Sequence, residues 1–150
     1  MTVMGIKQIT LLAAMSLSIG LSACKPAEES VAYTEATNCF VRNGIKEYKP
    51  LLIQSEEEFG KVLGITLVMG KDGKSNEIDF SRHNAIALIS EPTNRYSQID
   101  IVSFKEEEGQ LTLRYKILCT GDQMTFYITP LRLLIIDKKL GDRVRFVKEQ

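Results

Sequence analysis

The sequence predicts a mainly β domain, an antiparallel barrel or sandwich, carrying one short helix. Three observations predict it. From Ile65 onward the apolar residues recur at every second position, as a half-buried strand requires. Turn residues such as Asp72-Gly73, Gly109, Gly121-Asp122 and Gly141-Asp142 punctuate that stretch at short intervals. Helix signals cluster at one place only, around Ser55. Roughly seven or eight short strands with a single helix leave no room for a parallel α/β fold, which needs a helix at each crossover.

Lys7 precedes the apolar run Ile9 to Leu21, and the run ends in Leu21-Ser22-Ala23-Cys24. A run this short falls below the roughly twenty residues that span a bilayer, so residues 1–23 read as a cleaved secretory signal. The Leu-Ser-Ala-Cys tetrapeptide resembles a bacterial lipobox. The resemblance implies cleavage before Cys24, attachment of fatty acyl chains to its sulfur, and, with Lys25 after the cysteine, an outer-membrane anchor. Several chains hold far more durably than one, at about 0.8 kcal/mol per buried methylene. Residues 24–38, with Pro26 and adjacent Glu28 and Glu29 but few large aliphatics, read as a flexible tether, and residues 39–150 as a single domain.

Removing Lys7 from the nineteen Lys and Arg leaves eighteen against nineteen Asp and Glu. That near-neutral balance argues against a nucleic-acid partner, which needs a basic stripe. Once Cys24 carries lipid, Cys39 and Cys119 remain, and an oxidising compartment predicts a disulfide between them. Metal or redox thiols are the alternative, although neither cysteine belongs to a CxxC.

Tyr48 to Ile53 predicts a short strand. Ser55 with Glu58 three residues on forms a capping box, Phe59, Val62 and Leu63 supply the apolar stripe, and Gly64 the stop. Ile65 to Met69 and Ala85 to Ser90 follow as strands, the second apolar on both faces and therefore covered on both sides. Tyr96 to Phe104 and Leu111 to Ile117 flank the acidic turn Glu106-Glu107-Glu108-Gly109. Thr120-Gly121-Asp122 predicts a further turn, after which Met124, Phe126 and Ile128 face inward. Pro130 breaks the ladder before Leu131 to Ile136, and Arg143 to Val147 closes the fold.

The stretch around the single histidine, Asp79, Ser81 and His83, invites a triad reading. Extended residues at spacing two stand about 6.5–7 Å apart, too far for a hydrogen-bonded relay, and no G-x-S-x-G elbow accompanies them. A turn leading into a buried strand explains them instead, with His83 at the surface and Phe80 inside. Glu106, Glu107 and Glu108 read as a solvated hairpin tip rather than a glycosidase pair. Asp137, Asp142 and Glu149 lack calcium-loop spacing, zinc ligands are missing, and no glycine-rich phosphate loop is present. The expectation is therefore no catalytic residues, no metal and no cofactor. Tyr96 and Tyr115 with Arg95 and Arg114 fit either an interface or an ordinary sheet edge.

The stretches IDFSRHNAIALIS, RYSQIDIVSF, GQLTLRY and ITPLRLLIIDK, in this order, resemble the C-terminal domain of the protease complex subunit PrcB family. Asp79-Phe80, Tyr96 and Thr129-Pro130 match its marks, over roughly residues 53 to 138. The family commonly has glycines before the tyrosine, where this chain has Ser90 to Arg95. The resemblance implies a non-catalytic, often lipid-anchored β domain that associates with a protease. The expected partners are thus a cell-surface or periplasmic protease and the lipid bilayer, with the loop Glu91, Pro92, Thr93, Asn94, Arg95 and Tyr96 as contact surface. The alternatives are a β-barrel carrier for a small apolar ligand, against which Tyr115, Phe126 and Phe146 count as interior fillers, and a structural envelope lipoprotein.

Overall fold

A computed structural model describes residues 29–66 and 77–150. The chain runs β1 (Thr34–Ala36), β2 (Cys39–Val41), β3 (Leu51–Ile53), α1 (Glu56–Val62), β4 (Leu63–Ile65), β5 (His83–Ile89), β6 (Thr93–Glu107), β7 (Gln110–Ile128), β8 (Leu131–Asp137) and β9 (Val144–Lys148), with a 3-10 turn at Lys138–Leu140. The central layer is a four-stranded antiparallel sheet in the order β1-β8-β5-β3. One of its faces meets a sheet ordered β6-β7-β9, the other meets α1 and the β2-β4 ribbon. The sheets do not close, so the sandwich alternative holds and the barrel does not.

The two-sided burial of β5 follows from this layering. Ile86 and Leu88 point into a core with Phe104, Leu111, Leu113, Tyr115, Leu134 and Ile136. Ala85, Ala87 and Ile89 point the other way, toward Ile53, Phe59, Leu63 and Leu133. Small residues on the helix side let α1 approach, and large ones on the other side fill the space between sheets.

The capping box forms with one difference. Ser55 accepts a hydrogen bond from the Glu58 amide at 3.2 Å, while Glu58 reaches past Ser55 to the Gln54 amide at 2.8 Å. Gly64 does not stop the helix, because Leu63 leaves it in extended conformation. Gly64 instead lies in β4 opposite Phe40, whose ring covers it so closely that an added Cβ would come within 2.8 Å of Phe40 Cε1. The predicted strand at 48–53 shortens to β3, and the turn expected at 70–73 lies outside the described residues.

The tether expected over residues 24–38 is partly structural. Val31 donates its amide to Phe104 O at 2.9 Å, Tyr33 packs at 6.2 Å from the Phe104 ring, and Thr34–Ala36 forms β1 against β8. Two half-buried side chains and an edge strand hold this segment, which its small and acidic composition concealed.

Thr120-Gly121-Asp122 is not a turn, since β7 runs unbroken for 19 residues. Gly121, at φ +94°, absorbs an irregularity rather than a reversal. The reversal occurs at Glu108 (φ 54°) and Gly109 (φ 75°), the two left-handed residues of a hairpin turn. β9 pairs with β7 in parallel, so the second sheet is mixed.

Candidate functional site

The feature that stands out is the far end of the β6-β7 ribbon. β9 accompanies β7 only from Leu111 to Tyr115, and beyond that point β6 and β7 continue alone. A two-stranded ribbon is by itself marginally stable in water. Its pairing is also uneven: nine residue steps of β7, from Cys119 to Ile128, lie opposite four of β6, from Ser97 to Thr93. The surplus backbone carries side chains outward. Phe126 is 59% exposed and Tyr127 72%, and across the ribbon Tyr96 is 55% exposed. The inward direction expected for Phe126 is therefore wrong, because the irregular pairing breaks the alternation on which it rested. Met124 and Ile128 are half-buried.

This arm contains most of the expected contact loop. Glu91 and Pro92 are exposed ahead of β6, but Thr93, Asn94, Arg95 and Tyr96 belong to the strand itself. Thr93 Oγ1 accepts the Arg95 amide at 3.2 Å, and Ser97 Oγ donates to Arg95 O at 3.2 Å, local bonds that fix an irregular stretch. Phe126 and Tyr127, thirty residues farther along the chain, complete the surface. Sequence reasoning missed them because alternation with Met124 and Ile128 pointed Phe126 inward and left Tyr127 unremarked.

Cys39 and Cys119 are both free thiols, so the expected disulfide is not formed. Cys39 lies on β2, half-buried against the helix-side core, and Cys119 stands exposed on the arm of a different sheet. Burial pushes the Cys39 thiol above its ordinary value. Cys24 lies outside the described residues.

The Asp79 cluster is a turn. Asp79 Oδ1 accepts the Ser81 amide at 3.0 Å and its hydroxyl at 2.5 Å, and Asp79 O accepts the His83 amide at 2.9 Å. The Ser81 hydroxyl leads the bonds that hold the Asp79 carboxyl below its usual range. The Ser81 amide and hydroxyl thus both bond the same Asp79 oxygen two residues back, the pattern of a side-chain-closed turn. Phe80 is half-buried at 6.0 Å from Phe59, and His83 opens β5 opposite Asp137.

Glu107 departs from the solvated-tip expectation. Arg114 donates to it at 3.1 and 3.4 Å, Arg145 at 3.2 Å, and Lys105 lies 3.8 Å away. Arg114 first, then Lys105 and Arg145, keep its carboxyl below the usual glutamate range. The cluster ties the hairpin to β9, while Glu106 and Glu108 stay exposed. On the opposite edge, Arg132 pairs with Glu35 and donates to Ile99 O at 2.8 Å, joining the two sheets.

Among the described residues no group of three or more His, Cys, Asp and Glu is placed to hold a metal ion, and no helix is long and apolar enough to cross a membrane. Comparison with known proteins returns no match to a family model, a curated protein or a solved structure.

Proposed function

We propose that this chain is a lipid-anchored, non-catalytic envelope protein of the outer membrane that docks a protein partner, a protease being the reading favoured by the resemblance to the PrcB family. The observation that carries the docking is the aromatic arm. Tyr and Phe side chains anchor interfaces because they bury a large surface at small entropic loss, and among the described residues Tyr96, Phe126 and Tyr127 belong to neither core.

The position of the arm suits this role. Ser30 bridges to Lys105 near the hairpin turn, and the six residues back to Cys24 reach at most about 20 Å. Tyr96 lies nine residues from Lys105 along β6, up to about 30 Å away. A lipid on Cys24 would hold the turn end near the bilayer and leave the arm to meet a protein. The carrier alternative has less support, because the space between the sheets is filled by Ile86, Leu88, Phe104, Leu113 and Tyr115.

The test is a pull-down from membranes with the full chain and with a Tyr96→Ser, Phe126→Ser, Tyr127→Ser variant. Recovery of a protease by the first and not the second is expected. Recovery of no protease above background, or equal recovery by both, refutes the proposal.

A further inference from the structure

The end of the sandwich that carries the hairpin also carries two other turns. We infer that this end seats on the bilayer surface, with Leu140 entering the headgroup layer and a basic cleft beside it holding lipid phosphates. The inference rests on the lipid-anchored reading given above. β5 opens and β8 closes at this end, where His83 lies opposite Asp137. Lys138 donates its amide to Arg82 O at 2.9 Å and its ammonium to Phe80 O at 2.8 Å, which sets the 3-10 turn beside the turn at residues 79–83. Leu140 and Gly141 share a cavity wall with Gly109 and Gln110, so the hairpin turn lies next to both. Ser30 pairs antiparallel with Lys105, and the chain therefore enters the fold from the hairpin end. A lipid on Cys24 brings these three turns, and not the aromatic arm, to the membrane.

The side chains at this end suit a headgroup layer. Leu140 is exposed and directly follows Lys138 and Lys139. A lone exposed leucine is ordinary on a protein surface. Beside cations at the anchored end it completes an interfacial contact, apolar surface for the acyl boundary and positive charge for the phosphates. The cleft encloses about 210 Å³ and is lined by Ser81, Arg82, His83, Asp137, Lys138 and Lys139. Asp137 Oδ1 accepts the Lys139 amide at 2.8 Å, and the Asp79 carboxylate closes on Ser81. The side chains of Arg82 and Lys139 form no hydrogen bond and no ion pair among the described residues, so both are open to an anion. Glu106 and Asp142, with Arg143, line the cavity on the hairpin side of Leu140. Cations thus gather on one side of Leu140 and carboxylates on the other, and the seat tilts toward the cleft. The lipid holds the chain at high local concentration, so this contact has only to orient it.

The chain contains no tryptophan, so an indole placed at an exposed position reports alone. Full-length Leu140→Trp and Tyr127→Trp chains, their acyl groups verified by mass, are reconstituted into vesicles of equal parts phosphatidylethanolamine and phosphatidylglycerol with brominated acyl chains. Emission from position 140 is expected to shift to the blue and to be quenched by bromine, and emission from position 127 to do neither. Adding Arg82→Gln and Lys139→Gln to the Leu140→Trp chain is expected to lower the ratio of quenched to unquenched emission roughly 5-fold for each charge removed. An unquenched indole at 140 in a chain that carries its lipid overturns the inference and leaves the anchored reading standing. Equal quenching at 140 and 127, or quenching at 140 that ignores the two charges, overturns it as well. A chain without acyl groups refutes the anchored reading itself, and this inference with it.

Discussion

Gly64→Ala adds one methyl group and is expected to destabilise the protein, although alanine is ordinarily the better strand residue. The ring of Phe40 lies over the Gly64 backbone, with Cε1 at 2.8 Å and Cε2 at 3.0 Å from where the new Cβ would stand. The ring must swing off. Phe40 is 48% exposed, so about half of a phenylalanine's roughly 200 Å² is covered. Losing about 100 Å² at about 25 cal/mol per Å² costs up to about 2.5 kcal/mol. Against that, replacing a strand glycine gains about 0.5–1 kcal/mol in backbone entropy. The net is a loss of about 1.5–2 kcal/mol, read as a shift of the urea midpoint at constant slope. In a Phe40→Ala background the clashing ring is gone while the entropy gain remains, so the loss is expected to shrink or change sign. A Gly64→Ala effect of equal size and sign in both backgrounds would refute the argument that Phe40 is what requires glycine.

Two further predictions concern the N-terminal segment and the charged hairpin. Tyr33→Ala is expected to cost about 1–3 kcal/mol in the same assay, since the ring packs on Phe104; an effect under about 0.5 kcal/mol would return this segment to the role of a tether. Glu107 has its folded pKa held below the ordinary value, principally by Arg114, so its contribution to stability is complete above the ordinary glutamate pKa and is lost as pH falls through the lowered one. Urea midpoints measured from about pH 6 down to pH 3 are expected to fall less steeply for Glu107→Gln than for the unaltered chain, and parallel curves would show that the ion-pair cluster does not exist in solution.

The sequence by itself determined the class of this protein and most of its elements. The helix from Ser55, the two-sided burial of Ala85 to Ile89, the hairpin at Glu108-Gly109 and the strand from Leu131 are local signals of capping, periodicity and turn chemistry, and these act between near neighbours in the chain. Only the tertiary structure decided the rest. Gly64 looks like a helix stop until Phe40 is placed over it, and Gly121 looks like a turn until β6 is laid alongside. Tyr33 looks like linker until Phe104 arrives from seventy residues away. The candidate site divides in the same way. Tyr96 lies in the contact loop that goes with the resemblance, but its exposure and that of Phe126 and Tyr127 were not legible, because a side chain's exposure depends on which sheet covers it. An apolar residue has the same local sequence whether its sheet meets a core or water, and only long-range pairing settles which.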